Sequence, residues 1–160
     1  MNLVYLLIGG NMGNREDYLL RAKEAINKKA GTILQASDVY ETEAWGLTHQ
    51  DKFLNQALRI DTPLHPRELL HSLLQIEENI GRKRELRYGP RIIDIDILFY
   101  GEEIVQEPHL TIPHPEIQNR RFALQCLHDI APAFRHPVLQ KTIAQLLAEC
   151  SDPLVVNKYN

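Results

Sequence analysis

The sequence lacks most of the features that mark secreted, disulfide-bonded or membrane-spanning proteins. It has only two cysteines, Cys126 and Cys150, with neither a CxxC pattern nor the His spacing of a metal site. We therefore expect two reduced thiols. No apolar run reaches the roughly 18 residues that a membrane-spanning helix needs, and the apolar N-terminus lacks the basic lead and cleavage site of a signal peptide. These absences favour a cytoplasmic protein that does not bind membranes.

The sequence also lacks a strong excess of charge and the commonest nucleotide-binding loop. Its 18 basic and 21 acidic residues give a net charge of −3, which argues against general nucleic-acid binding. It contains no Gly-x-x-x-x-Gly-Lys-Ser/Thr motif, so we exclude an ordinary P-loop kinase. The 160 residues are 44% hydrophobic, which is enough to form one core. We predict a single domain over residues 1–160 and expect a monomer.

The order of the apolar patterns predicts a β-α-β-β-α-β arrangement followed by C-terminal helices. Asn14 is expected to cap the first helix, and a loop is expected from Thr42 to Asp51. The predicted strands cover residues 3–8, 32–41, 53–61 and 92–100, the long helices about 15–30 and from Pro66 to Gly81, and the short helices about 120–130 and 141–149. This order is typical of an α+β, ferredoxin-like sandwich, with a mainly antiparallel sheet and both long helices on one face.

Two aspartates alternate with isoleucines in the fourth predicted strand. Because side chains alternate along a strand, Asp94 and Asp96 share one face, while Ile93, Ile95 and Ile97 share the other. The aspartate Cα atoms then lie roughly 7 Å apart, and two carboxylates at that spacing repel each other unless a cation compensates them. Mg²⁺ is a suitable cation because it binds one or two carboxylates together with substrate phosphates. A solvent-facing strand with two acidic residues is the alternative.

A basic segment precedes these aspartates. Residues 82–91 contain one acidic residue, Glu85, and five basic residues, Arg82, Lys83, Arg84, Arg87 and Arg91. Arginine binds phosphate oxygens in a bidentate manner. Arginines beside paired carboxylates therefore suit phosphoryl transfer, in which a metal ion bridges the phosphates and cations stabilise the transition state. A solvated charged loop is the alternative, whereas a nucleic-acid patch is disfavoured because no aromatic residues are interleaved.

Aromatic and amide side chains suggest a flat heterocyclic ligand. Phe53 and Asn55 share one face of the third predicted strand, and Phe122 lies in a predicted short helix. Aromatic rings stack on flat heterocycles, and an asparagine amide matches the donor and acceptor groups of an amide-like ring edge. Core packing is the alternative for both phenylalanines. His114 lies between two prolines in a stiff segment, where it is either a phosphate or nucleotide ligand or an exposed loop histidine.

One segment resembles a family signature. Gly89-Pro90-Arg91-x-x-Asp94-x-Asp96-Ile97-Leu98-x-x-Gly101 is similar to the signature of the 6-hydroxymethyl-7,8-dihydropterin pyrophosphokinases. Further matching motifs follow one another from about residue 5 to 132: Leu7-Ile8-Gly9-Gly10-Asn11-Met12-Gly13-Asn14, Tyr40-Glu41-Thr42-Glu43, Phe53-Leu54-Asn55, Ile76-Glu77 with Gly81-Arg82, Pro113-His114-Pro115 and Asn119-Arg120-Arg121-Phe122. Only their combination is specific.

The resemblance implies a reaction and its cofactors. The hydroxymethyl oxygen of the pterin attacks the β-phosphorus of ATP, and AMP leaves. Asp94 and Asp96 match the carboxylates that hold two Mg²⁺ ions. Arg82 and Arg91 match the arginines that stabilise charge during the reaction. The predicted catalytic residues are therefore Arg82, Arg91, Asp94 and Asp96.

The resemblance also implies two substrate sites. The predicted pterin-binding residues are Thr42, Phe53, Asn55 and Phe122, completed by backbone groups of residues 43–46. The predicted nucleotide-binding residues are Glu77, Arg82, Arg84, Arg91, Ile97, Thr111, His114 and Arg120. A different carboxylate–metal enzyme, such as a nucleotidyltransferase or phosphatase, and a non-catalytic binding module of the same fold are the alternatives.

The chain departs from the family pattern at four places. Tyr88 stands where the family often has Trp, and His109 stands where an Arg is sometimes found. Glu43-Ala44-Trp45 replaces a proline-rich version of the same loop. Arg121 makes a second consecutive arginine beside Arg120, so the sequence leaves open which of the two contacts phosphate.

Overall fold

The computed structural model describes residues 1–43, 51–81 and 92–160. The helices in these ranges are α1 (Arg15–Lys29), α2 (Pro66–Ile80), α3 (Arg121–Ile130) and α4 (Ile143–Glu149), with a 3₁₀ turn at Ile117–Asn119. The strands are β1 (Asn2–Gly10), β2 (Thr32–Ala36), β3 (Tyr40–Thr42), β4 (Phe53–Thr62), β5 (Asp94–Tyr100), β6 (Val105–Glu107), β7 (Leu110–Ile112) and β8 (Val156–Lys158). None of these helices has the length and apolar character that crossing a membrane requires.

Six of the described strands form one sheet with β1 near its centre. The order across the sheet is β5-β1-β4-β3-β8, and β2 pairs with β4 beyond the end of β3. All pairings between the described strands are antiparallel. The strands β6 and β7 form a separate hairpin. The predicted mixed helix–sheet fold with a mainly antiparallel sheet is therefore confirmed.

The two faces of the sheet carry two hydrophobic clusters. Alternate β1 residues explain the division, because Val4, Leu6 and Ile8 pack with residues of α1 and α2, whereas Tyr5 and Leu7 pack with residues of α3 and α4. A strand that is covered on both sides reads as a continuous apolar run. Below, the two sides are called the α1/α2 face and the α3/α4 face.

Local signals in the sequence set the ends of both long helices. The Asn14 side chain accepts a hydrogen bond from the Asp17 amide at 3.1 Å, so the predicted cap of α1 is confirmed. Pro66 occupies the first turn of α2, where its missing N–H removes no helical hydrogen bond. Gly81 ends α2 with a φ of 112°, which is a left-handed conformation that glycine adopts without strain.

The prediction of one strand over residues 32–41 is wrong. The chain forms β2 and β3 instead, because the segment between them turns to other partners. The Ser37 hydroxyl accepts a hydrogen bond from the Ala57 amide at 2.9 Å, and the Asp38 amide donates to the Asp129 carboxylate of α3 at 3.1 Å. Thr42, predicted to open a loop, is the last residue of β3.

Two further boundaries differ from the prediction. The fourth predicted strand begins at Asp94 rather than at residue 92. The strand β8 was not predicted at all, and it pairs with β3 so that Lys158 lies opposite Tyr40. Three residues without marked alternation give no local strand signal, and β8 exists because β3 offers it a free edge.

Candidate active site

One row of residues crosses the sheet at the end where β1 stops. Asp94 on β5 lies opposite Gly9 on β1, Gly9 lies opposite Asn55 on β4, and Asn55 lies opposite Tyr40 on β3. Because residues directly opposite each other share a face, the aspartate and the amide point to the same side. Asp96 lies opposite Leu7, whose side chain packs on the α3/α4 face. That face therefore carries the candidate site.

The alternation predicted for β5 is confirmed in its first half. Ile95 and Ile97 are buried in the cluster on the α1/α2 face, whereas Asp94 and Asp96 are half-buried and lie on the opposite side of the strand. The register then shifts, so that Leu98 is an extra residue and both Leu98 and Phe99 pack on the α3/α4 face. The aspartates therefore stand just before a bulge.

Gly9 allows the close approach of the Asn55 side chain. A Cβ atom added at Gly9 would overlap the Asn55 Oδ1 atom and would lie 2.7 Å from the Leu54 carbonyl oxygen. Asn55 is also held from α3, where the Cys126 thiol donates to its carbonyl oxygen at 3.7 Å. In the sequence, Gly9 stands out only as part of a motif. Its role depends on a partner 46 positions away, so no local pattern indicates it.

The predicted pterin-binding residues lie on or beside the α3/α4 face. Thr42 and Phe53 are opposite each other at the ends of β3 and β4, and Phe53 shares its face with Asn55. Phe122 packs against the cluster on the same face. Thr42 is 1% exposed, and its hydroxyl has no hydrogen-bond partner among the described residues. A buried hydroxyl in that state costs about 1–3 kcal/mol, which a ligand group would offset.

The predicted nucleotide residues Glu77 and Ile97 flank the outer edge of β5. Glu77 is 4% exposed, and its Oε2 atom accepts a hydrogen bond from the Ile95 amide at 2.6 Å. The Ile95 amide therefore points away from β1. Backbone groups two residues apart point to the same side of an antiparallel strand, so Ile97 presents its backbone at this outer edge. Its side chain lies in the core, and only its backbone is available for a nucleotide.

His114 is attached to β5 beside the bulge. Its amide donates to the Leu98 carbonyl oxygen at 3.0 Å, and its Nδ1 atom accepts from the Glu116 amide at 3.1 Å. Burial, together with the nearby Arg120 guanidinium, lowers the pKa of His114 to about 4. The neutral ring therefore carries its proton on Nε2, which is a donor suited to a phosphate or nucleotide oxygen.

The two consecutive arginines have different surroundings. Arg121 donates to the Asp152 carbonyl oxygen at 3.2 Å and to the Cys150 carbonyl oxygen at 2.7 Å. Arg120 lies over the Phe122 ring, with its guanidinium carbon 6.0 Å from the ring centroid. Arg121 is thus engaged with the C-terminal segment, while Arg120 lies beside predicted residues of both substrate sites.

The remaining predicted residues do not all fall within the structure. Thr111 is exposed on β7 of the hairpin, opposite Gln106. Arg82, Arg84, Arg91 and most of the 43–46 backbone lie outside the described residues. Over residues 1–43, 51–81 and 92–160, no group of three or more His, Cys, Asp or Glu side chains is arranged to bind a metal. Asp94 and Asp96 form a two-carboxylate set, which matches what Mg²⁺ takes from proteins when phosphates supply further oxygens.

A family profile and two bacterial relatives carry closely matching descriptions. The sequence profile of the 7,8-dihydro-6-hydroxymethylpterin-pyrophosphokinase (HPPK) family matches residues 5–132. A 2-amino-4-hydroxy-6-hydroxymethyldihydropteridine pyrophosphokinase of Aquifex aeolicus is 40% identical over 149 residues, which are 93% of this chain and 92% of the relative. The Bacillus subtilis protein of the same name is 42% identical over 130 residues, covering 81% of this chain and 78% of the relative.

A solved structure extends the similarity to the fold. The HPPK-DHPS chain of Plasmodium falciparum, crystallised with SDX-DHP, superimposes with a TM-score of 0.77 over 93% of this chain at 21% identity. This chain spans 43% of that Plasmodium chain. At such an identity the likeness concerns the fold alone, whereas the profile match and the bacterial relatives establish descent. The chain belongs to the 7,8-dihydro-6-hydroxymethylpterin-pyrophosphokinase family.

Proposed function

We propose that this chain transfers the pyrophosphoryl group of ATP to the hydroxymethyl oxygen of 6-hydroxymethyl-7,8-dihydropterin and releases AMP. The family and its named relatives support pyrophosphokinase activity in folate biosynthesis. The observation that carries the proposal for this chain is the row formed by Asp94, Gly9 and Asn55. In this row the Asp94 carboxylate, which suits phosphate chemistry, lies two strands away from the Asn55 amide, which suits the edge of a pterin ring. Two strand spacings are about 10 Å.

The pterin is proposed to bind where β3, β4 and α3 meet. The Asn55 amide offers both a donor and an acceptor to the ring edge. The Thr42 hydroxyl, which has no hydrogen-bond partner among the residues that the structure describes, offers a further polar contact. Phe53 and Phe122 lie on the side of the sheet that this position requires, and their rings are assigned to stacking on the pterin. Backbone groups of residues 43–46 are assigned to the same pocket.

Asp94 and Asp96 are proposed to hold two Mg²⁺ ions together with the phosphates of ATP. The set fits this metal because both donors are carboxylates on one side of a strand. When bound, the ions supply charge neutralisation at the phosphates and a lowered pKa of the attacking hydroxyl. Arg82 and Arg91 are assigned to stabilising the charge that develops on the transferred group.

The nucleotide is proposed to lie along the outer edge of β5. The Ile97 backbone, the Nε2–H of neutral His114 and the Arg120 guanidinium are assigned to this site, and Thr111 and Arg84 are assigned to its periphery. The contact of His114 Nδ1 with the Glu116 amide and the location of Arg120 near His114 support this assignment. The engagement of Arg121 with residues 150 and 152 favours Arg120 as the phosphate contact. Glu77 remains assigned to this site, where its contact with the Ile95 amide supports the strand.

We further propose a ferredoxin-like fold and a single cytoplasmic domain over residues 1–160 that acts as a monomer. The sheet order, with β1 and β4 central, and the location of α1 and α2 on one face support the fold assignment. The use of ATP and the two free cysteines are in keeping with a cytoplasmic enzyme. In this assignment β2 and β3 together take the place of the second strand, and β8 and the β6–β7 hairpin are additions to the fold.

The decisive experiment measures AMP formation from ATP and Mg²⁺ with and without 6-hydroxymethyl-7,8-dihydropterin. We expect AMP and pterin diphosphate in equal amounts, and no AMP without the pterin. Metal-dependent cleavage of ATP or another phosphate ester that ignores the pterin would instead indicate a different carboxylate–metal enzyme. Binding of both substrates without turnover would indicate a binding module.

A further inference from the structure

Arg15, at the start of α1, contacts the two residues next to the last residue pair of β3 and β4. The Nη1 atom of Arg15 donates to the Glu41 Oε2 atom at 2.8 Å and to the Lys52 carbonyl oxygen at 2.8 Å. Glu41 and Lys52 are the chain neighbours of Thr42 and Phe53, which are opposite each other at the ends of β3 and β4. A single guanidinium therefore joins the two strands next to the first pair of predicted pterin contacts.

A second side chain of the β1–α1 turn reaches the same place. Asn11 is 2% exposed, and its Nδ2 atom donates to the Asp51 carbonyl oxygen at 2.9 Å. Consecutive carbonyl groups of residues 51 and 52 are thus bound by residues 11 and 15. The chain enters β4, and hence Phe53, in a position that the turn after β1 determines.

The C-terminal segment orders Arg15 from the other side. The Arg15 guanidinium carbon lies 5.6 Å from the centroid of the Tyr159 ring. Tyr159 is fixed by two hydrogen bonds, from its hydroxyl to the Glu16 carboxylate at 2.6 Å and from its amide to the Val39 carbonyl oxygen at 2.8 Å. Because the Tyr159 ring already favours one Arg15 rotamer, the side chain loses little further conformational entropy when it donates to its two acceptors.

We propose that Arg15 is a positioning residue for pterin binding, acting through Glu41 and Lys52 on Thr42 and Phe53. This inference rests on the proposed function. Arg15 touches neither substrate in this arrangement, and its effect concerns the pterin rather than ATP. Asp94 and Asp96 lie two strands away from Phe53, beyond β1, so loss of Arg15 leaves the phosphate chemistry of bound substrates intact.

The same helix provides a matched control. Arg21 forms an ion pair with Asp17 at 2.9 Å and has a side-chain exposure of 58%, against 24% for Arg15. An exposed ion pair of that kind contributes little to stability. Arg15→Met and Arg21→Met each remove one guanidinium from α1 while retaining an unbranched side chain. Only the first removes contacts with Glu41 of β3 and with Lys52, the residue before β4.

The test is steady-state kinetics of the full-length chain, with the pterin varied at saturating ATP and ATP varied at saturating pterin. For Arg15→Met we expect the pterin KM to rise about tenfold, as for loss of one or two charge-assisted hydrogen bonds, with kcat and the ATP KM within about twofold of the original chain. Arg15→Lys should recover part of the loss because it keeps the charge. Arg21→Met should match the original chain in all three constants.

Three outcomes would overturn the inference: an unchanged pterin KM in Arg15→Met, an equal rise in the two KM values, or the same rise in Arg21→Met. Thermal melts identify variants that fail to fold, and Glu41→Gln then replaces Arg15→Met with a smaller expected rise of about threefold. Failure of the proposed function is a separate result, because the original chain itself would then make no pterin-dependent AMP.

Discussion

The Glu77 carboxylate binds the backbone of β5 between the two aspartates of the candidate site. Its Oε2 atom accepts a hydrogen bond from the Ile95 amide at 2.6 Å, and Ile95 is the residue between Asp94 and Asp96. Glu77 comes from α2, on the face opposite to the aspartate side chains. A charge-assisted bond in a buried place is roughly twice as strong as a neutral one. The position of the aspartates therefore depends on a residue that lies behind the strand.

The first prediction concerns this contact. Glu77→Ala leaves the Ile95 amide buried without its acceptor and opens a cavity, so we expect the free energy of unfolding to fall by about 2–3 kcal/mol. Urea denaturation measures this loss. Glu78→Ala, an exposed neighbour on the same helix, should stay within about 0.5 kcal/mol. Equal stability of the two variants would show that the contact contributes nothing.

The second prediction separates catalysis from folding at the metal-binding pair. Asp96→Ala should remove most activity and leave the thermal unfolding temperature unchanged or raised, because it relieves the repulsion between two carboxylates. The assay is AMP formation at several Mg²⁺ concentrations. Asp61→Ala, on β4 at the far end of the sheet, is the control and should retain activity. Unfolding of Asp96→Ala would assign a structural role to this side chain instead.

The third prediction concerns the glycine beneath Asn55. Gly9→Ala places a Cβ atom against Asn55 Oδ1 and the Leu54 carbonyl oxygen, so we expect a higher pterin KM and a loss of about 1–3 kcal/mol in stability. Gly101→Ala is an informative control. Gly101 has a φ of 52°, and no atom of the described residues lies within 4 Å of an added Cβ, so its variant should lose about 1 kcal/mol with an unchanged pterin KM. The same pterin KM in Gly9→Ala and Gly101→Ala would contradict the role of Gly9.

The fourth prediction concerns pH. Burial and then Arg120 lower the pKa of His114 to about 4, whereas an unfolded histidine titrates at roughly 6.5. As the pH falls from about 6.5 to about 4, the unfolded chain takes up a proton that the folded chain does not, so this group reduces the free energy of unfolding over that window. The loss is on the order of 3 kcal/mol, and stability from this source is fully present above pH 6.5.

Urea denaturation at a series of pH values tests this dependence. His114→Gln should flatten the slope of stability between about pH 6.5 and 4, because glutamine does not titrate. His109→Gln changes an exposed histidine of the neighbouring hairpin and should leave the slope as it is. An unchanged slope in His114→Gln would assign the dependence to other groups.

Much of the fold follows from local patterns, in which the residues concerned lie within a few positions of one another. Helical spacing, the Asn14 cap and Pro66 were enough to locate α1 and α2, and alternation was enough to put Asp94 and Asp96 on one side of β5. These features depend on backbone geometry with a period of two or about 3.6 residues. Family resemblance added the reaction and the roles of the residues, which no local pattern expresses.

Tertiary contacts decided the rest. Residues 32–41 form two strands because the Asp38 backbone amide donates to the Asp129 carboxylate of α3. The strand β8 forms because β3 has a free edge. Glu16 and Tyr159, which help to order Arg15, are 143 positions apart. The sequence by itself determined the main helices and strands and the chemistry available to them. Only the folded chain determined which side chain supports which, because such contacts depend on distance in space and leave no period in the sequence.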